Sequence, residues 1–292
     1  MKKLFITFAL CMITISASAQ GLLSGLLGSS EPKGPKIKFV EGDFNAKEEI
    51  LYLKINGVIQ EKDEDDGPMM ALRQKKSILD AMKEDLSLAA KRDAVKAVYL
   101  EINSPGGEVT ASDLLYHMIK RFTEETKKPV IAHIGAMGAS GAYYTACGCK
   151  KIYALPTSMI GSIGVLLQTM NVEELATKLG IKAVTIKSDK TPMKDVLSPF
   201  RQTTEEEKAM LLELVETSYQ RFVDIVTENR KLNREDVIKA ANGSVYTAQK
   251  AQKLGLIDGI GYREDVISEI CKILEIKSAA LVKKAEEKNP LS

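Results

Sequence analysis

"PVIAHIGAMGASGAYYTA", Pro129 to Ala146, runs an apolar segment into a glycine-rich turn and then into small residues that open a helix. "PVIAHI" lacks the polar alternation of a half-solvated strand and suits a strand covered on both faces. The turn "GAMGASG", Gly135 to Gly141, comes next, and a helix is expected from about Ser140. The same unit recurs on either side. Upstream, strand "VKAVYLEI" from Val95 meets the turn "NSPGG", Asn103 to Gly107, and a helix expected from about Val109 to Glu125. Downstream come strand "KIYAL" from Lys151, the segment "IGVLLQTM", helix "VEELATKLG" and a further strand "KAVTIKS" ending near Ser188. Strand and helix taking turns specify an α/β fold with a mostly parallel sheet flanked by helices.

Further outward, "EILYLKINGVIQ" from Glu49 is strand-like, "EKDEDDGP" is a solvated loop, and Met69 to Ala90 has helical spacing. The C-terminal part is helical. "TTEEEKAMLLELVETSYQRFVDIVTENRK" opens with Thr204 and Glu207 at capping-box spacing and sets Leu211, Leu214, Val215, Phe222 and Val226 on one face. Shorter helices are expected near Arg234 to Ala241, Thr247 to Leu254 and Glu264 to Leu274.

The first residues have a different character. Lys2 and Lys3, an apolar run from Leu4 to Ile15 and the small residues Ala17-Ser18-Ala19 make a secretion signal or, if retained, an N-terminal membrane anchor over 1–19. The run is short for a bilayer span, which needs roughly 17–25 residues. Cleavage after Ala19 is the expectation, with the bulk of the chain outside the cytoplasm, periplasmic or anchored facing the periplasm. Residues 20–47 are expected as a linker, 48–276 as the folded domain and 277–292 as a charged tail.

Charge and aromatic content exclude a nucleic-acid partner. The chain carries 41 basic and 39 acidic residues for a net charge of +2, and it has no tryptophan. Of four cysteines, Cys11 lies in the signal, Cys147 and Cys149 form C-G-C, and Cys271 stands far off. This spacing fits no zinc site, so no metal is expected and buried thiols are favoured over a redox pair.

In parallel sheets, ligands collect where strands end and helices begin. Both glycine turns fall there. Gly106 and Gly107 could present backbone N–H groups as an oxyanion hole, or simply make a tight turn. Ser140 at the next helix start could face the same pocket, or serve as a small packing residue. Of two histidines, His117 lies mid-helix and His133 within a strand, and neither is well set to reach Ser140. Lys187, Lys190 and Lys194 lie in or beside "DKTPMKD". A lysine acts as general base only when neutral, which requires its pKa to fall from about 10.4 to 7–8 by burial.

The blocks "INSPGGEV", "GASGAYYTACGCKKIYALPTSMIGSIGV", "KSDKTPMKDVLSPFR" and "GSVYTAQKAQKLGLIDGIG" resemble, in order and spacing, the signal peptide peptidase A family of serine peptidases. That is the S49 group, with a ClpP/crotonase-like fold, and the resemblance runs from about Glu49 to Leu274. It implies Ser140 as nucleophile, Lys194 as general base and the Gly107 N–H as oxyanion donor, with Gly106 and Gly141 binding substrate and no cofactor. Ala142 stands where the family commonly has glycine, and the lysine loop is about two residues longer than usual. Lys194, followed by Asp195 as the pattern requires, is preferred to Lys190. The resemblance further implies a homo-oligomer whose lysine serves a neighbour's serine, and apolar peptide substrates such as signal-peptide remnants at the membrane. A crotonase-like acyl binder and a non-catalytic scaffold are the alternatives on the same fold.

Overall fold

A computed structural model describes residues 36–61 and 77–285. The signal, most of the linker, the acidic loop from Lys62 and the first part of the Met69–Ala90 helix lie outside the described residues. Lys38–Lys283 form one compact unit; the other, Met1–Ile37 with Lys284–Ser292, is described only at residues 36, 37, 284 and 285.

Four parallel strands make the centre of the sheet: β2 (Glu49–Asn56), β3 (Val95–Ser104), β4 (Val130–Ala139) and β5 (Lys151–Ala154). In β3, Val95, Ala97, Val98, Tyr99, Leu100 and Ile102 are all buried, as the unbroken apolar pattern demands of a strand covered on both sides. Helices α1 (Ile78–Lys91) and α2 (Val109–Thr126) and the later α8 (Arg263–Ile273) supply the cover. Val266, Ile267 and Ile270 of α8 pack with Tyr99, Ile131 and Ile50 on one face. Leu86 of α1 and Leu115 and Ile119 of α2 are buried in the remaining core.

Two further strands lie beyond the boundaries expected from composition. β1 (Ile37–Gly42) falls in the stretch read as linker, and β9 (Ala280–Lys284) in the stretch read as tail. They extend the sheet in the order β1-β9-β2-β3-β4-β5-β8, with β8 (Gly259–Ile260) at the far edge. "ALVKK" in β9 is a short apolar run inserted between two strands. Its flanking lysines give the segment a solvated look that pairing with β2 overrides.

β4 runs further than expected, through the glycine turn to Ala139. Its first half, Ile131 to Ile134, pairs with β5; its end, Met137 to Ala139, pairs with β6 (Met159–Gly161) instead. β6 in turn pairs antiparallel with β7 (Val245–Thr247). On the other side, Ile102 faces Ile134 but Ser104 faces Gly138, so β4 holds extra residues in a bulge there. Bulges bend a strand and re-aim the chain beyond it. Here the re-aimed chain is Ser140 and helix α3 (Gly141–Ala146).

Two expectations need correction. "KAVTIKS" is no strand: 182–188 has no regular structure, with Val184 81% and Ile186 95% exposed. β-branched residues favour strands only where a sheet edge is present to receive them. Only α4 (Glu173–Lys178) and a 3-10 turn at Pro192–Asp195 order the stretch from 165 to 200. In α5 (Glu205–Arg230), Phe222 and Val226 are buried as expected, but Leu214 is exposed, so only the C-terminal half of the apolar face packs. The remaining helices, α6 (Arg234–Ala240) and α7 (Ala248–Lys253), form close to where they are expected.

Candidate active site

Ser140 sits between the end of β4 and the first turn of α3 at φ 52°, ψ −126°. A side chain rarely adopts this conformation, and holding it costs on the order of 1–3 kcal/mol. The surroundings enforce it. Ser140 N–H donates to Gly161 C=O at 2.7 Å, and Ser140 C=O accepts from Tyr144 N–H at 3.0 Å. Every residue of α3 is buried. Tyr143 OH donates to Leu256 C=O at 2.7 Å, Tyr144 OH donates to Asp113 Oδ1 at 2.5 Å, and the Tyr144 ring lies 5.0 Å from that of Phe222. The Ser140 hydroxyl itself is half-buried and bonds to none of the described residues. A strained, anchored backbone carrying an unspent hydroxyl is what a nucleophile needs, and packing alone does not explain it.

The turn from "NSPGG" lies against this serine. The buried Ser104 Oγ accepts from Gly106 N–H at 3.0 Å and shapes the turn. Gly106, at φ 96°, comes so near that a Cβ there would lie 2.8 Å from Ser140 Cβ and 2.6 Å from Gly141 N. A Cβ on Gly141 would sit 3.3 Å from Gly107 N. The sheet therefore brings Gly106, Gly107, Ser140 and Gly141 into one cluster. Among the described residues the Gly107 N–H donates to no acceptor, so it is available to an oxyanion beside the serine.

Behind the turn runs the segment after β2. Ile59 N–H donates to Gly106 C=O, and Glu108 N–H donates to Ile59 C=O, each at 2.8 Å. A Cβ on Gly107 would fall 1.9 Å from Ile59 O, so no other residue fits there without moving that strap.

The lysines part company. Lys187 Nζ donates to Pro192 C=O at 2.6 Å and pairs with Asp195. Arg201 grips Asp195 through Nε at 3.0 Å and Nη2 at 2.9 Å, and reaches Glu207 at 2.5 and 2.8 Å. Bonds from Arg201 and then Lys187 hold the Asp195 carboxyl far below the usual carboxylate range; Arg201 and the Thr204 N–H hold Glu207 at about 2. Glu207 also closes the capping box expected with Thr204. This lock fixes the turn that carries Lys194, whose ammonium is exposed and unpaired among the described residues. No hydrogen bond joins Lys194 to Ser140 within one chain.

One helix spans the gap. α5 is held to the lysine turn through Glu207 and to α2 through Arg221, which donates at 2.6 and 3.0 Å to Asp113, the same carboxylate that Tyr144 of α3 binds. Fourteen residues at 1.5 Å per residue separate those ties by about 21 Å.

Neither histidine is available as a base. His117 is exposed on α2. His133 is buried: its Nε2–H donates to Gly261 C=O at 3.1 Å, leaving Nδ1 to accept from Tyr99 OH. Burial lowers the His133 pKa below its ordinary 6.5. The unfolded chain thus takes up this proton first as pH falls, and stability declines below about pH 6.5 until the folded state protonates too. Thermal melts from pH 7.5 to 5 are expected to show this decline, and His133→Gln, which offers a donor and an acceptor but does not titrate, is expected to flatten it. An unchanged slope in that variant would remove His133 as the cause.

Cys147, Cys149 and Cys271 are free, buried thiols, and burial pushes Cys147 up to about 12, too high for thiolate chemistry. Sequence reading passed over Glu108 and Ser112, both in contact with the site. Ser112 Oγ donates to Glu108 C=O at 2.8 Å and would meet a Cβ on Gly141 at 2.2 Å. A serine one turn into a helix gives no sequence signal of such a contact.

Comparison with known proteins adds an independent line. Residues 123–277 match the model of peptidase family S49, a stretch that holds Ser140 and all three lysines. The chain is similar to a protein of Enterococcus faecium named as a candidate signal peptide peptidase SppA, at 33% identity over 83% of this chain and 68% of that one. It is similar to a candidate protease of Methanocaldococcus jannaschii, at 38% identity over 68% of this chain and 63% of that one. With Protease 4 of Salmonella typhi it shares 30% identity over 66% of its own length but only 31% of the relative's.

Proposed function

The chain belongs to peptidase family S49, and from that premise we propose that it is a serine endopeptidase working through Ser140 and Lys194. The observation that carries this reading is the unspent Ser140 hydroxyl, held on a strained backbone with the Gly106–Gly107 turn packed against Ser140 and Gly141. Ser140 Oγ attacks the scissile carbonyl while a neutral Lys194 Nζ removes its proton and passes it to the leaving amine. The Gly107 N–H receives the negative oxygen of the tetrahedral intermediate, a donor worth about 10²–10³ in rate. Water then releases the acyl group by the same route in reverse.

A lysine serves as general base only where burial removes it from water, and Lys194 is exposed within one chain. Assembly supplies the missing burial in this reading. Leu166, Met170, Val184 and Ile186 are 79%, 74%, 81% and 95% exposed, all within the stretch that also bears Lys194. Large apolar side chains left this open support a protein contact there. A second copy of the chain covers it and receives Lys194 into its own site, so the working unit is a homo-oligomer. Its substrates are peptides with apolar segments, such as signal-peptide remnants, met outside the cytoplasm at or near the membrane. Among the described residues no helix is long and apolar enough to cross a membrane.

A fluorophosphonate probe tests the proposal directly. Ser140 Oγ should displace fluoride at phosphorus, and mass spectrometry of the digested protein should place the adduct on the peptide containing Ser140. The same spectra are expected to show an N-terminus at Gln20. An adduct elsewhere, or none from the assembled protein, would overturn the assignment.

A further inference from the structure

Glu108 occupies the N-cap of α2, a position that favours short side chains able to fold back on the first helical N–H groups. Its side chain makes no such cap. Instead the carboxylate reaches 47 positions back along the chain and accepts from Glu61 N–H at 2.9 Å. The backbone of the same residue binds on two other sides. Its N–H donates to Ile59 C=O at 2.8 Å, and its C=O accepts from Ser112 N–H at 3.1 Å and from Ser112 Oγ at 2.8 Å.

These contacts flank the Gly107 peptide and leave its N–H without an acceptor among the described residues. Ile59 fills the space directly behind Gly107, and Ser112 presses on Gly141 beside the nucleophile. The strap at 57–61 is otherwise bound to the turn by Gly57 N–H to Asn103 C=O at 3.1 Å and by the two Ile59 bonds. Beyond Ile59, the tie seen among the described residues is the one from Glu61 N–H to Glu108. Glycines turn easily, so a strap that lifts would let the Gly107 peptide rotate away from the serine.

We propose that Glu108 is a positioning residue for the oxyanion site: its carboxylate pins the strap at Glu61 and so keeps the Gly107 N–H aimed at the oxygen beside Ser140. The proposal rests on the peptidase reading above. What matters is an acceptor at this point.

The test uses the full assembled protein in three forms, wild type, Glu108→Ala and Glu108→Gln, assayed on a fluorogenic tetrapeptide amide with leucine before the scissile bond. Glu108→Ala is expected to lower kcat about tenfold with KM within twofold, since a donor displaced by a fraction of an ångström fails only in the transition state. Glu108→Gln retains a carbonyl oxygen for Glu61 N–H and is expected to stay within threefold of wild type. A second readout separates aim from stability. A peptide aldehyde, which forms a tetrahedral adduct on the serine, should bind Glu108→Ala about tenfold more weakly, while the matching peptide alcohol should bind unchanged. Equal loss for aldehyde and alcohol, equal damage from Ala and Gln, or full kcat in Glu108→Ala would each overturn the proposal. Failure of the peptidase reading shows itself separately, as hydrolysis that survives Ser140→Ala.

Discussion

Ser140→Ala is expected to lower peptide hydrolysis by about 10⁴-fold or more, the scale seen when a catalytic nucleophile is removed and only binding and oxyanion stabilisation remain. The fold should be untouched. Ser140 Oγ bonds to none of the described residues, and the contacts that hold the residue are its backbone N–H and C=O. Circular dichroism, melting temperature and assembly state should therefore match wild type while turnover vanishes. A fall of less than tenfold would mean that another group attacks the substrate. Loss of folding together with activity would mean that the hydroxyl has a packing role that the open geometry does not reveal.

Lys194→Ala is expected to be as inactive as Ser140→Ala, whereas Lys190→Ala, in the same loop, should keep most of its activity. Lys187 stands apart, since it pairs with Asp195 and its loss should weaken the turn rather than remove the base. The decisive form of the experiment mixes the two dead variants. A serine served by its neighbour's lysine recovers part of the activity when Ser140→Ala and Lys194→Ala chains reassemble together, because some sites then draw an intact serine from one chain and an intact lysine from the next. Random mixing in equal amounts restores about a quarter of the wild-type sites by simple probability for pairwise sharing. No recovery in particles shown to hold both variants would place serine and lysine on one chain. The lysine turn, tied to α5 at Glu207 about 21 Å along the axis from the Arg221 tie to Asp113, whose carboxylate also holds Tyr144, favours recovery.

The central strands and both glycine turns were legible because their apolar runs are long and their glycines stand where strands become helices. The same ground made Ser140 and the Gly106–Gly107 turn candidates, while their roles as nucleophile and oxyanion donor came from the resemblance to the S49 family. Other features depended on distant partners. β9 gains its place only from β2 and could not be told from a frayed tail, while "KAVTIKS" has strand composition but no strand beside it within the chain. Glu108 was passed over for the same reason: its partner at Glu61 is 47 residues away, and nothing local in "SPGGEV" points there. The lysine loop lay between these cases. Its residues were visible, but only the Asp195, Arg201 and Glu207 lock separates Lys187 from Lys194.

The torsion angles at Ser140 set durability against use. Glycine is at ease at φ 52°, so Ser140→Gly would shed the local cost and, after the looser unfolded chain takes back its share, gain a net of about 1 kcal/mol. A domain of this size would then melt about 2–4 °C higher. Heat resistance and turnover thus pull one codon in opposite directions, and screening this chain for ruggedness alone would favour its inert form.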